Sequence, residues 1–275
     1  MFAKFTPDAV IHFAGLKSVG ESVATPLKYY NVNVFGSTSL LEAMERAGCM
    51  NLVFSSSATV YGAPDYLPYD ENHPTRPVNP YGRTKFLVEE ILRDWTASNL
   101  LSRATILRYF NPVGAHPSGR LGEDPLGTPN NLMPYISQVA VGRKKVLRVF
   151  GCDYDTIDGS GVRDYIHITD LAKAHVMAIE KQAQLDQFEV INLGTGQGTS
   201  VLGLIKAFEV ASKTKIPIEF APRRCGDLPE SWANPLKAFY KLGWKAQLTV
   251  AEMCQHTWDW QLKNPKGYAI DPDAQ

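Results

Sequence analysis

The chain has 275 residues, 44% of them hydrophobic and 20% charged, with 28 Lys+Arg balanced by 28 Asp+Glu. That apolar fraction excludes a disordered chain, and a sequence pI near 7.0 excludes the basic footprint of a general nucleic-acid binder, leaving a small molecule as the expected ligand. The four cysteines, Cys49, Cys152, Cys225 and Cys254, form no Cys-x-x-Cys pair, so neither a zinc knuckle nor a disulfide framework is expected, and reduced thiols point to the cytoplasm.

In chain order, strand and helix signals alternate. The stretch 1–15 has too short an apolar run for a signal peptide, and Ala9–Phe13 reads as a first strand. Thr25 and Pro26 read as an N-cap and a first helical residue, with apolar positions at Leu27, Val34, Leu40, Leu41 and Met44 until Gly48 ends the helix. The longest uncharged stretch, 47–64, is broken by three serines and cannot span a membrane; within it Asn51–Phe54 is a second strand. Asn79 and Pro80 open a helix whose buried stripe is expected at Leu87, Ile91 and Trp95, and Ala104–Phe110 is a third strand. Strands alternating with helices in this way predict an α/β fold with a doubly wound parallel sheet. After Pro112 the texture turns to glycine, proline and turn residues, followed by helices at 170–181, 200–213 and 249–263, the last with a Thr249/Glu252 capping box. The expected division is a nucleotide-binding domain at 1–112 and a smaller α/β substrate lobe at 113–275, with 165–200 returning to the first sheet.

Tyr81 and Lys85 stand one turn apart on one helix face. A positive charge beside a phenol favours the phenolate, so the pair can act as a general base on an alcohol. Taken alone, Tyr-x-x-x-Lys also fits an ordinary surface helix. The serines at 55–57 alter that balance, because they follow a strand at the carboxyl edge of the sheet, where open α/β folds bind ligands. Ser57, Tyr81 and Lys85 are then the hydroxyl, phenol and ammonium of the short-chain dehydrogenase/reductase superfamily.

The blocks His12–Ser22, Ser55–Gly62, Asn79–Lys85, Arg108–Pro112, Gly122–Pro125, Asn130–Pro134, Gly161–His167 and Asn192–Gly196 resemble, in unbroken order, the UDP-glucose 4-epimerase family. The resemblance implies a Rossmann-type sheet, tightly held NAD, a UDP-hexose substrate and a homodimer packed through the helices 26–47 and 80–98. It makes Tyr81 the base at the sugar 4-hydroxyl while hydride passes from C4 to NAD and returns to the other face of a 4-keto sugar. Ser57 would hydrogen-bond the reacting oxygen, and Lys85 would hold the nicotinamide ribose and keep Tyr81 acidic. Phe13, Lys17, Asn33 and Tyr109 match cofactor positions. Asn111, Asn131, Leu132, Arg148, Val149, Phe150, Arg163, Arg224 and Asp227 match nucleotide-sugar positions, where arginine forks suit a diphosphate and Phe150 suits uracil. Ser231, seven residues past Arg224, flanks the sugar 2-substituent by the same match, and its small size implies room for an acetamido group. Sugar-nucleotide dehydratases of this superfamily carry an Asp-Glu pair where this chain has Ala58 and Thr59.

A glycine-rich turn between a first strand and helix normally announces the dinucleotide. The one imitation here, Gly194–Gly198, falls after the catalytic helix and is explained by a family turn. Aligned on the motifs, Ala9–Phe13 is the family's fourth strand, and the preceding stretch of about 65 to 70 residues, at about 30 per βα unit, is expected to be missing, with the sheet truncated in its N-terminal half and an apolar edge exposed. Little NAD retention is therefore expected of the chain as written, and a catalytically silent fragment that binds UDP-sugar or partner chains is the alternative to an active epimerase. No metal site is expected: His167 and His175 lack ligand spacing, His116 and Cys225 lie in motif loops, and Trp258 and Trp260 read as core and rim.

Overall fold

The computed structural model describes residues 2–268 except Leu126, Thr128 and Cys225, the last of these being a sequence-predicted free thiol that lies outside the described residues. The chain forms two compact units. The first comprises Met1–Phe110, Ala172–Gly196 and Ser231–Lys245, and the second Asn111–Leu171, Gln197–Glu230 and Ala246–Gln275.

The first unit is built on four parallel strands, β1 (Val10–His12), β2 (Asn51–Ser57), β3 (Arg103–Tyr109) and β4 (Phe188–Leu193), hydrogen-bonded in that order. Each connection is long enough to carry a helix, which is what parallel neighbours require. The β1–β2 crossover contains α1, which begins at Pro26–Tyr29, passes through a π-helical segment at Tyr30–Phe35 and continues as Gly36–Arg46. The β2–β3 crossover contains α2 (Pro80–Ser98), opened by Asn79, whose side chain accepts from the Gly82 amide at 2.8 Å, with Pro80 at the first turn. Between β3 and β4 lies α3 (Ile168–Lys181).

The pleat decides what each side chain meets. Leu52, Phe54 and Ile106 face α1 and α2 and pack with Leu41, Met44, Val88, Leu92 and Trp95, while Val53, Leu107 and Ile191, equally buried, belong to the alternating positions of the sheet. The buried stripe of α2 departs from expectation. Trp95 is buried as expected, but Leu87 is exposed and Ile91 only half-buried, and the buried positions are Gly82, Thr84, Lys85, Val88, Glu89, Leu92, Trp95 and Thr96. Two charged residues occupy the inward face, so apolar periodicity alone points one residue off the true stripe. β1 is the edge strand among the described residues, with Ile11 and Phe13 exposed beside it.

The second unit packs the helices Leu132–Ala140, Val201–Ser212 and Val250–Lys263 against the parallel pair Leu147–Phe150 and Ile218–Ala221. Ile136, Leu204, Phe208, Met253 and Cys254 form its core. The capping box is present: the Thr249 hydroxyl accepts from the Glu252 amide, and Glu252 accepts from the Thr249 amide at 2.7 Å. Trp260 is buried, and Trp258 packs edge-on against Phe208 at 6.0 Å.

Candidate functional site

The carboxyl end of β2 carries three consecutive serines, and each is gripped by a different partner. Lys85, 6% exposed, donates through Nζ to the Ser55 carbonyl at 2.6 Å and lies 4.8 Å from the centre of the Phe54 ring. The Ser55 hydroxyl bonds the Tyr109 hydroxyl, and Ser56 donates to Glu89. Ser57 ends the strand in extended conformation and caps a short 3-10 turn, Ala58–Val60, accepting from the Thr59 amide at 3.2 Å and from its hydroxyl at 3.0 Å. Parallel pairing sets Ser57 opposite Tyr109 on β3.

Helix α2 meets this turn through a glycine. A Cβ at Gly82 would lie 2.8 Å from the Thr59 carbonyl oxygen, so only glycine lets the first turn of α2 close on the strand end. Tyr81 is half-buried at that first turn, near enough to the strand end for the Ser57 hydroxyl to act on its phenol.

The electrostatics differ from the sequence expectation. Burial pushes the Tyr81 phenol well above the ordinary tyrosine range, and the nearby Ser57 hydroxyl only partly offsets this. The expected depression by Lys85 is not found. Lys85 is itself lowered from 10.5 to about 8 by burial, with Glu89 acting in the opposite direction. Tyr109 is likewise raised by burial and eased by Ser55. Burial thus acts on both groups in the direction of their neutral forms.

The turn after β1 stands beside this cluster. Asn33, buried in the π-helical segment of α1, accepts from the Leu16 amide at 2.7 Å and donates to the Leu16 carbonyl and the Thr84 hydroxyl, each at 3.0 Å. Both amide hydrogens are thus committed within the protein, and Asn33 clamps the Gly15–Leu16 turn to α2. π-helical turns of this kind recur at functional sites because they turn one side chain out of helical register. Phe13 is 56% exposed, its ring 4.7 Å from that of His175, which also meets Tyr109 edge-on at 5.7 Å. Lys17 is exposed on the same turn. Ser231 is half-buried in the short strand Glu230–Ser231, next to Trp232, whose carbonyl accepts from the Tyr69 amide at 2.9 Å.

In the second unit, three of the sequence-predicted residues converge. The Arg224 guanidinium lies 4.9 Å from the Phe150 ring and donates to Asp227 at 2.9 Å. The strand Leu147–Phe150 alternates buried and exposed, so Arg148 and Phe150 share the outer face, with Arg148 3.6 Å from Glu219. Val149 points into the core, which leaves its backbone as the part a ligand could meet. Arg163 donates to the carbonyls of Val162 at 2.9 Å and Pro229 at 3.3 Å. Asn131 stands at the N-terminal boundary of the helix Leu132–Ala140 without a side-chain capping bond and donates to Glu123 at 3.2 Å, with Leu132 half-buried behind it. The Asn111 amide is bound to the Asp164 carbonyl at 3.0 Å.

Sequence reasoning missed Glu89, Arg108 and the clamp role of Asn33. A signal for the first two was present: an arginine inside the apolar run of β3 and a glutamate one turn beyond Lys85 are both unusual for buried elements. His167 is buried and meets His256 at 3.0 Å, and no group of three His, Cys, Asp or Glu side chains suited to a metal occurs among the described residues.

A parallel sheet whose second strand ends in serine, with Tyr-x-x-x-Lys at the start of the following helix, defines an enzyme of the short-chain dehydrogenase/reductase class. Comparison with known proteins narrows this. The family model for GDP-mannose 4,6 dehydratase matches residues 1–257. The UDP-glucose 4-epimerase of Bos taurus is 56% identical over 269 residues, covering 98% of this chain and 77% of that protein. That of Bacillus subtilis (strain 168) is also 56% identical, covering 98% of this chain and 79% of that protein. The crystal structure of the Bifidobacterium longum UDP-glucose 4-epimerase in complex with NAD+ and UDP superposes with a TM-score of 0.93 at 51% identity, over 97% of this chain and 80% of that one. The chain belongs to the UDP-glucose 4-epimerase family.

Proposed function

We propose that the chain is an NAD-dependent UDP-hexose 4-epimerase that interconverts UDP-glucose and UDP-galactose through a 4-keto intermediate, a step of galactose metabolism in the cytoplasm. The observation that carries this reading is Lys85 anchored on the Ser55 carbonyl at the carboxyl end of β2, where Ser57 ends the strand and Gly82 lets the first turn of α2, with Tyr81, close on it. The donor set fits the nicotinamide end of NAD: a buried amine, the Tyr109 hydroxyl and the exposed Phe13 ring stand around one strand end, with Lys17 on the adjoining turn. When bound, NAD supplies a reversible acceptor for the hydrogen on C4.

The chain's own residues handle the proton. Ser57 can hydrogen-bond the C4 oxygen, and Tyr81 can take the C4 hydroxyl proton and return it to the carbonyl oxygen. Lys85, fixed on the Ser55 carbonyl, places a buried amine at the same strand end. The chemistry named by the matching family model, loss of water, needs a further acid and base. Here those positions are Ala58 and Thr59, and the Thr59 hydroxyl is bound to Ser57 at 3.0 Å. Epimerisation needs neither.

Arg224, Arg163 and Arg148 are assigned to the diphosphate and its surroundings, Asp227 to ribose hydroxyls, Phe150 to uracil, and Asn111, Asn131, Leu132 and the Val149 backbone to the remaining nucleotide-sugar contacts. The small Ser231 supports acceptance of UDP-GlcNAc and UDP-GalNAc as well. Exposed Leu27, Phe35 and Leu87 on α1 and α2 support homodimerisation through these helices.

A second reading has its own observation. In the second unit Arg224 donates to Asp227 and lies over the Phe150 ring, a set that can hold the UDP moiety without any proton transfer. On that reading the chain binds UDP-hexose without turnover. Conversion of UDP-galactose to UDP-glucose with NAD supplied, together with assay of nucleotide released on denaturation, separates the two. Turnover supports the first reading, and its absence with UDP-hexose binding retained supports the second.

A further inference from the structure

Tyr81, Lys85 and Glu89 occupy successive turns of α2, yet the proton chemistry uses only the first two. Glu89 is 1% exposed and Arg108 4%. Arg108 donates to both Glu89 oxygens, from Nε at 3.1 and 3.2 Å and from Nη2 at 2.5 Å, and Ser56 donates to the same carboxylate. The guanidinium also lies 4.9 Å from the Tyr61 ring, and the Tyr61 hydroxyl donates to Asn192 at 2.7 Å. This network ties α2 to β2, β3 and β4 at the end of the sheet where the serines stand. A buried ion pair is a weak source of net stability, and an apolar pair would pack here without the desolvation cost.

We propose that Glu89, anchored by Arg108, is a positioning residue for the reaction: it holds Ser56 so that the pleat presents Ser57, and it sets a carboxylate one turn from Lys85 on α2. The inference rests on the reading of Ser57, Tyr81 and Lys85 as the proton-transfer set. The titratable groups around Lys85 are Tyr81 and Glu89 on α2, Tyr29 on α1, His12 on β1 and Tyr109 on β3, reached through Ser55. Of these, Glu89 is the one carboxyl group, and it is paired with the Arg108 guanidinium on β3. Burial draws Lys85 down to about 8, and Glu89 is the group that opposes it.

The test follows the Lys85 side chain itself, by NMR titration of its 13Cε resonance in lysine-labelled protein, assigned with Lys85→Arg. In Glu89→Gln, which keeps the shape and loses the charge, the midpoint is expected to fall by about one pH unit. The pair Glu89→Gln with Arg108→Gln leaves no uncompensated charge, and there the fall persists. Glu89→Asp restores the wild-type midpoint. In parallel, the alkaline limb of kcat against pH moves down with the amine, while KM for UDP-galactose stays within about twofold. Ser56→Ala, which removes one hydroxyl and leaves the ion pair, lowers kcat by about tenfold or more through misplacement of Ser57. An unchanged Lys85 midpoint in the Gln variants, an alkaline limb that does not follow it, or a Ser56→Ala enzyme with wild-type kcat overturns the proposal. If the wild type shows no epimerisation, the functional reading fails, and the NMR arm still decides the electrostatic half.

Discussion

Acidification tests the packing of β1 through one imidazole. His12 is 7% exposed, its ring 5.7 Å from Phe54 and its Nε2 2.8 Å from the Ser37 hydroxyl. Ser37 already donates to the Asn33 carbonyl at 2.6 Å, so the hydrogen between His12 and Ser37 belongs to the imidazole, which sits neutral with its proton on Nε2. Burial, reinforced by the charge on Lys85, pulls His12 from 6.5 down to about 4. The unfolded chain therefore takes up a proton near pH 6.5 that the fold refuses until about pH 4, and in that interval the unfolded state binds more protons. The stabilisation is complete above pH 6.5 and is lost as pH falls through about 4; at about 1.4 kcal/mol per pKa unit it amounts to about 3 kcal/mol. His12→Gln retains a donor for Ser37 and cannot titrate. Urea denaturation between about pH 7.5 and pH 4 is expected to show wild type losing about 3 kcal/mol more than the variant. Parallel pH dependences for the two proteins would refute the reasoning.

Three other outcomes follow from the same geometry. Gly82→Ala places a Cβ 2.8 Å from the Thr59 carbonyl, so it should lower stability by about 1–3 kcal/mol and reduce kcat by displacing Tyr81 from Ser57; wild-type values in both denaturation and kinetics would show that α2 does not close on the strand end. Lys85 binds its proton less tightly when folded, so stability should rise as pH increases from about 8 toward 10, where the unfolded chain still holds the proton; Lys85→Met should remove the rise, and a rise of equal size in the variant would refute the assignment. Ser231→Tyr should cut activity on UDP-GlcNAc by about tenfold or more relative to UDP-glucose, and an unchanged ratio of the two would remove Ser231 from the specificity account.

Much of the first unit was legible because its strands are short apolar runs and its helices open on strong caps. Asn79 with Pro80, and Thr249 with Glu252, behave locally as their chemistry dictates. The failures are tertiary. The stripe of α2 was misplaced because Lys85 and Glu89 are polar by type and buried by partnership, Lys85 with a backbone carbonyl and Glu89 with Arg108 on another strand. The direction of the Tyr81 shift was misread because helix spacing reveals a neighbouring charge and says nothing about desolvation, which is the larger effect here. Asn33 matches a cofactor position, and its clamp on Leu16 and Thr84, across 17 residues on one side and 51 on the other, is encoded by no local pattern.

The central claim is that Ser57, Tyr81 and Lys85 move the proton on the C4 oxygen of a UDP-hexose. Purified protein supplied with NAD and UDP-galactose, with UDP-glucose followed over time, tests it most directly when Tyr81→Phe is run beside the wild type. The account predicts conversion by the wild type and a loss of at least about a hundredfold in kcat in the variant, the scale of a lost general acid and base. A wild type that makes no UDP-glucose, or a Tyr81→Phe variant that makes it as fast, would contradict the claim.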